Sequence, residues 1–346
     1  MASNHGTLSR ANKQQVPALV GRLQSLFERL PDAELLRALE GPPRRGRKGY
    51  SVKALWHSWL SSYVLNVPSA AALVRALKDN PYLALACGFQ NPWLVPSEAT
   101  YSRFVDKLVK HQALVDDCLA AVVSEIKKAK PTFGDIVAVD ATDVKAWSNP
   151  AKKTDKEART GAKRKAPYRF WWFGYKLHLA VDATTDLPIW AVVTPANAYD
   201  GHHLPTVLNA AKERFSWFKP KYVLADKGYD SAESFRYVAE ELGATPVIDV
   251  RNFVGSKGSD DRPCEAEPVT TISGVRYRCQ RIPYSHYCPQ FGKCPLLPVF
   301  ADSPLNLSEP RYSDRYTNLA YGSKAWKAVY NKRVAAERAF SFFQDS

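Results

Sequence analysis

Three acidic side chains stand where a bound cation could be held. Asp140 closes an apolar run at 136–139 and Asp226 closes another at 222–225, so each carboxylate is expected at the C-terminal end of a strand. Glu337 follows Tyr330 and Arg333 at helical spacing (i, i+3, i+7), on a face shared with Trp326 and Phe340. One aspartate at a strand end says little, because aspartate is favoured in turns. Two on equivalent strands, with a glutamate on a helix behind them, form a set. An acid on an aromatic and apolar helix face calls for a cation, since burying an unpaired carboxylate is costly. Arg333 could meet that need as a plain ion pair. The other reading is a hard divalent metal shared by Asp140, Asp226 and Glu337, and oxygen-only ligands with water positions left open suit Mg²⁺ or Mn²⁺.

The pattern around these residues separates into two regimes. Residues 16–130 read as helices: Leu19, Leu23, Leu26, Phe27 and Leu30 recur at helical spacing, and Leu108, Leu114, Val115, Cys118, Leu119, Val122 and Ile126 do so again. Asn-Pro turns at 80–81 and 91–92 divide shorter helices at 69–78 and 97–110. The start of the last of these, with Ser97, Thr100, Tyr101 and Arg103, reads as a capped helix able to touch phosphates or bases, or as one member of a helical bundle. From residue 135 the periodicity becomes mixed. Strands are expected at 136–142, at 174–181 (Tyr175, Leu177, Leu179 and Val181 alternating), at 187–194, at 222–225 and at 245–249, with helices at 204–215, 235–242 and 323–343. Such an order predicts an α/β fold with a mixed five-stranded sheet covered by helices. If the first strand lies beside the fourth, Asp140 and Asp226 become neighbours.

Charge is concentrated rather than spread. The formal net charge over 346 residues is +14, a surplus that points to a polyanionic partner such as nucleic acid. Residues 145–176 hold ten bases against Asp155 and Glu157; Arg44, Arg45, Arg47, Lys48 and Lys53 form a run without acids; residues 311–338 hold seven bases against Asp314 and Glu337. Within the first stretch, Trp171 and Trp172 beside Lys165 and Arg169 combine aromatic faces with cations, as a holder of unpaired bases does, although core packing would use a tryptophan equally well. No long uncharged apolar run and no signal-peptide pattern is found, which predicts a cytoplasmic protein without a membrane span.

Four segments in combination, Val137-Ala138-Val139-Asp140-Ala141-Thr142, the run from Lys176 to Asp182, Leu224-Ala225-Asp226-Lys227-Gly228-Tyr229-Asp230-Ser231, and Tyr330-x-x-Arg333-x-x-x-Glu337, resemble bacterial insertion-sequence transposases of the DDE, ribonuclease H-like superfamily. The resemblance covers roughly residues 50–343. It implies a ribonuclease H-like catalytic domain at 131–249 and 321–346, a helical N-terminal DNA-binding domain at 1–130 and an insertion subdomain at 250–320 before the last helix. It further implies that Asp140, Asp226 and Glu337 are the catalytic and metal-binding triad for about two Mg²⁺ or Mn²⁺ ions. Double-stranded DNA, both transposon inverted-repeat ends and target, is the implied partner, bound by a homodimer in the bacterial nucleoid. Tyr330 and Arg333 match DNA-contacting positions, and Lys176, Lys227, Arg169, Trp172 and Arg103 are the further DNA-binding candidates. Gln344 stands where the family pattern often has a lysine, so a catalytically weak, DNA-occupying derivative is one alternative and an endonuclease without strand transfer is another.

The cysteines and histidines are the remaining candidates. Cys264, Cys279, Cys288 and Cys294 could form a zinc site, but their spacing is irregular and lacks a Cys-x-x-Cys knuckle, so buried free thiols are the competing expectation. Cys87 and Cys118, in apolar helical contexts, are expected to be free and buried. His178 and the pair His202-His203 have no zinc-enzyme spacing; structural roles are expected, with His178 on the same strand face as Lys176.

Overall fold

Serine and asparagine side chains start the helices of the N-terminal region. Ser51, Ser69 and Asn80 accept hydrogen bonds from the amides of Ala54, Ala72 and Leu83, respectively, capping α3 (Val52–Val64), α4 (Ala70–Asp79) and α5 (Pro81–Cys87). Pro81 occupies the first turn of α5, where its missing N–H costs nothing. These helices follow α1 (Arg10–Arg29) and α2 (Ala33–Glu40) and precede α6 (Glu98–Lys110) and α7 (Gln112–Ala129). The structure, a computed structural model, describes residues 10–42, 49–146, 148, 155–165, 168–249, 269–270, 276–277 and 324–344. It divides into two compact units, residues 1–128 with 342–346 and residues 129–341.

The first unit packs Leu23, Phe27, Leu35, Leu39, Leu73, Leu77, Tyr101 and Phe104 into one core. Polar groups inside it find partners: the Tyr101 hydroxyl lies 2.6 Å from Ser58 Oγ, and Trp56 Nε1 donates to Asp32 at 3.0 Å. Tyr101 therefore belongs to the core and not to a DNA-reading surface, and Ser97 meets the Thr100 hydroxyl instead of capping α6 through a backbone amide. Arg103 is exposed on that helix. Cys87 and Cys118 are free and buried.

The second unit is built on β1 (Ile136–Lys145), β2 (Arg159–Lys165), β3 (Tyr168–Asp182), β4 (Pro188–Pro195), α8 (His203–Arg214), β5 (Tyr222–Ala225), α9 (Ala232–Arg236), β6 (Thr245–Ile248), α10 (Lys324–Tyr330) and α11 (Val334–Gln344). The sheet is mixed and six-stranded. β1 pairs antiparallel with β3 and parallel with β5, and β5 pairs parallel with β6. β3 is long enough to take two further partners, β2 along its first half and β4 along its second. β2 is the strand that hydrophobic periodicity does not reveal: Arg-Thr-Gly-Ala-Lys-Arg-Lys reads as a basic loop, and it becomes a strand because β3 supplies its hydrogen-bonding edge. Gly174 marks the junction, facing both Lys145 and Arg159, and a Cβ there would lie 2.2 Å from the Val144 carbonyl oxygen.

Alternation along the strands assigns the two faces of the sheet. Ala138, Leu179, Val181, Leu224 and Val247 pack beneath Trp326, Ala335, Ala336, Ala339 and Phe340 of α10 and α11. The opposite face meets the buried side chains Leu204, Val207, Leu208 and Ala211 of α8. The last helical segment is not continuous as the sequence suggests, because a 3-10 turn at Asn331–Arg333 separates α10 from α11. The second helix of the sheet region likewise ends in a π turn, Tyr237–Glu241.

Asp182, fully buried at the end of β3, organises the hairpin to β4. It accepts from the Gly134 amide at 2.8 Å and from the amides and hydroxyls of Thr184 and Thr185 at 2.6–3.2 Å. Replacing it strands several buried donors at once. Asp182→Ala is expected to lower unfolding stability by about 3 kcal/mol or more, given that each hydrogen bond to a charged group is worth roughly 1.5–3, and urea denaturation will measure it. A loss below about 1 kcal/mol, the net worth of one ordinary hydrogen bond, would contradict this role.

Candidate active site

The parallel register of β1 and β5 pairs Val139 with Ala225, where β5 ends, so Asp226 leaves the sheet beside Asp140, which lies within β1 and not at its end as the apolar run suggests, because pairing with β3 carries β1 on to Lys145. Asp226 then caps a short 3-10 turn, Lys227–Tyr229, with its Oδ1 accepting from the Gly228 amide at 2.7 Å. Asp140 Oδ1 accepts from the Ala141 amide at 2.9 Å. On the side of the α10–α11 layer, Arg333 donates through Nη2 to Glu337 Oε1 at 2.8 Å, and its Nη1 lies 3.5 Å from Asp140 Oδ2. Tyr330 completes the group, stacked on Trp326 at 4.4 Å with the Arg333 guanidinium 5.7 Å from its ring centre.

The electrostatics follow from the burial of Asp140 beside Asp226 and from one guanidinium shared by Asp140 and Glu337. Burial pushes the Asp140 carboxyl up to about 6; the Ala141 amide and Arg333 pull it down, and the charges of Asp226 and Glu337 push it further up. Burial works against the charge on Arg333, but Tyr330, Glu337 and Asp140 outweigh it and hold the guanidinium above its ordinary value. Arg333 thus provides the ion pair and leaves an excess of negative charge at the sheet edge. Glu337 is half exposed, with 52 % of its side chain accessible, rather than buried among aromatics. A 3-10 turn separates it from Trp326, and on α11 the core-facing side is made by Ala335, Ala336, Ala339 and Phe340, which leaves Glu337 toward solvent.

Tyr229 is a neighbour of the triad that spacing alone does not single out. It is 1 % exposed, its hydroxyl has no hydrogen-bond partner among the described residues, and burial, followed by the charges of Asp140, Asp200 and Asp226, raises its pKa well above the ordinary phenol value. It is held by two loops in close approach: a Cβ on Gly201 would lie 3.0 Å from the Gly228 carbonyl oxygen, and Ser234 Oγ donates to the Gly201 carbonyl at 3.3 Å.

The other DNA-binding candidates are distributed differently. Lys176 lies on the opposite sheet face from Asp140, where Nζ is 2.8 Å from both the Ala198 carbonyl and Asp200 Oδ1. It shares that buried network with His178, whose Nε2 is 2.9 Å from Thr194 Oγ1 and whose ring sits 4.9 Å from that of His203. Burial lowers the His178 pKa to about 4, so the ring stays neutral and structural. Trp172 is 8 % exposed, donates from Nε1 to the Tyr175 carbonyl and fills the space left by Gly161; it is a packing residue. Lys227 reaches Asp249 at 3.4 Å with half of its side chain in solvent. The Arg169 side chain and Cys264, Cys279, Cys288 and Cys294 lie outside the described residues.

Comparison with known families gives this geometry its class. Residues 131–346 match the family described as Transposase DDE domain, and residues 10–107 match Transposase domain (DUF772). The chain belongs to the DDE transposase family, and its catalytic unit carries the ribonuclease H-like mixed sheet of that family. It is a polynucleotidyl transferase-type enzyme. No solved structure matches the chain. Among the described residues no helix is long and apolar enough to cross a membrane.

Two substitutions probe the charge balance. Because the fold raises the pKa of Asp140, ionising it costs stability progressively from about pH 4 to pH 6, and the cost persists above that range. Asp140→Asn at pH 7.5 in chelator is therefore expected to stabilise the protein, by up to about 3 kcal/mol when a tenfold change in acidity is worth about 1.36 kcal/mol, and to lose that advantage at pH 4; calorimetry at the two pH values decides. Tyr229→Phe removes an unpaired buried hydroxyl and is expected to leave stability unchanged or raise it by up to about 1 kcal/mol. A clear loss on chemical denaturation would show that the hydroxyl has a partner.

Proposed function

We propose that this enzyme binds the inverted-repeat ends of its transposon and carries out DNA strand cleavage and strand transfer with Asp140, Asp226 and Glu337 as the catalytic triad. The observation that supports the reading most is the β1–β5 register, which sets Asp140 beside Asp226 and leaves the Asp140 carboxyl perturbed by both other acids.

The donor set fits a hard divalent ion. All three groups are carboxylates, and one guanidinium compensates only part of their charge. Among the described residues no three acidic, histidine or cysteine side chains are gathered tightly enough to hold an ion as they stand, since Arg333 bridges Asp140 and Glu337. Asp140, Asp226 and Glu337 would hold Mg²⁺ or Mn²⁺, which when bound acidifies the attacking water or 3′-hydroxyl and offsets charge on the scissile phosphate.

The protein's own groups supply the positioning. The Ala141 and Gly228 amides orient the two aspartates on a rigid sheet edge. Arg333 contributes a planar donor fork suited to a phosphate oxygen, steadied by Tyr330 and Glu337. Exposed Arg103 on α6 and half-exposed Lys227 are cations available to the DNA backbone. The N-terminal unit and the basic stretches recognise the ends, and a homodimer on paired ends in the nucleoid is the assembly that this activity requires.

The test uses purified protein, a labelled duplex bearing the inverted repeat and a plasmid target in Mg²⁺, with Asp226→Ala as control. Joined products that vanish in the variant are the expected result. Cleavage without joining would replace the proposal by an endonuclease, and DNA retention without cleavage by a DNA-occupying derivative. Independently of turnover, Mg²⁺ is expected to raise the melting temperature of the wild type by several degrees and to leave Asp226→Ala unshifted; equal shifts would remove the metal from the triad.

A further inference from the structure

We propose that the two-stranded ribbon formed by β2 and the first half of β3 is a DNA-contacting arm of the catalytic unit, which places Trp171 against duplex flanking the cleaved bond. The inference rests on the DNA-cleavage reading above and adds to it a specific surface and a distance.

Beyond Gly174 the sheet narrows. Residues 168–173 of β3 pair with β2, while β1 ends opposite Gly174 and β4 opposite Tyr175. Isolated two-stranded ribbons are marginal in water, and this one carries large apolar groups outward: Tyr168 is 68 % exposed, Phe170 53 % and Trp171 61 %, beside a fully packed Trp172. Strand alternation sets Tyr168 and Phe170 on one face of the ribbon and Trp171 on the other, so both faces of this projecting element offer aromatic contact. The partner follows from charge. Residues 145–176 hold ten bases against two acids, and on the ribbon Arg159 and Lys163 are exposed. A second copy of the same surface would be repelled, whereas a polyanion offering stacking edges is attracted. An antiparallel ribbon also has the width that the major groove of duplex DNA admits.

The register gives the position. β3 pairs with β2 and β1 without a bulge from Tyr168 to Ala180, so Trp171 lies on the same sheet face as Leu177 and Leu179, and Leu179 is the partner of Asp140. Eight residues separate Trp171 from Leu179, a span of up to about 26 Å at ~3.3 Å per residue. At ~3.4 Å per base pair that is up to about eight base pairs. Trp171 therefore belongs to the flank of the cleaved site and not to the reacting nucleotide.

The test is a hydroxyl-radical footprint on the inverted-repeat duplex, comparing Asp226→Ala with Asp226→Ala/Trp171→Ala so that cleavage does not intervene. Trp171 is exposed, and unchanged circular dichroism will verify that its removal leaves the fold intact. Loss of protection confined to roughly five to eight base pairs from the cleavage position, with binding weakened about fivefold or more, is the expected outcome, and Asp226→Ala/Trp171→Phe should restore most of it. An unchanged footprint, or a uniform loss along the duplex, would overturn the arm. A footprint that survives while sedimentation shows altered self-association would assign the surface to a second copy instead. If Asp226→Ala protects no part of the duplex, the DNA-cleavage reading falls as well.

Discussion

The burial of one carboxylate beside a second at the same sheet edge is the constraint around which the second unit is arranged. A parallel β1–β5 register puts Asp140 next to Asp226 whatever else the chain does, and a low-dielectric sheet edge makes that pairing expensive. The α10–α11 layer both seals the sheet and brings the compensating charge. Trp326, Ala335, Ala336, Ala339 and Phe340 anchor it to the strands, and the break at residues 331–333 lets the same segment turn Arg333 toward Asp140. Arg338 adds a second tie, a bidentate pair with Asp186 at 2.6 Å in the β3–β4 hairpin. Glu337, the residue before it, is held from both sides.

The two faces of the sheet divide the polar residues by task. On the α8 face, Lys176 ties down the loop at residues 200–202 through Asp200, and beside it His178 meets the Thr194 hydroxyl and packs against the His203 ring. That loop packs on the turn carrying Gly228 and Tyr229. Lys176 thus acts on the edge that carries Asp226 from beneath, by holding through Asp200 the loop against which the Asp226 turn rests. Its strand alternates between the two tasks: Leu177 and Leu179 support the helices of the Glu337 side, and Lys176 holds the opposite loop.

Most of the second unit was legible because its elements carry the simplest signals. Alternation in β3 and the apolar runs of β1, β5 and β6 mark the strands, and the aspartates that close the apolar runs of β1 and β5 mark the site, although β1 itself continues past Asp140 to Lys145. Three features were hidden for physical reasons. β2 has almost no apolar content, so only its partner makes it a strand. Trp171 and Trp172 are adjacent and chemically identical, and the strand alternation that exposes one and buries the other is visible only once the pairing is known. The 3-10 turn interrupts a stretch whose spacing suits a continuous helix, so the face that Trp326 defines does not carry across to Glu337, which is half exposed. Tyr229 lies within the run from Leu224 to Ser231, but its proximity to Asp140 arises from loop packing between residues 201 and 228, which no spacing rule encodes.

These distinctions change what the basic character of the chain means. A net charge of +14 attracts DNA over a distance of about one Debye length, roughly 8–10 Å at moderate salt, and by itself aligns nothing. Alignment needs cations and aromatic faces fixed to a rigid element at a known separation from the reacting groups. Lys176 fails that requirement, because its charge is spent on Asp200 and the Ala198 carbonyl on the far side of the sheet. The ribbon meets it: one uninterrupted strand carries Trp171 at one end and the partner of Asp140 near the other. A strand is stiff along its length, so on the proposed reading a duplex engaged by the ribbon would be held at a set distance from Asp140 and Asp226, and shortening or bending β3 at Gly174 would shift that contact relative to the two carboxylates.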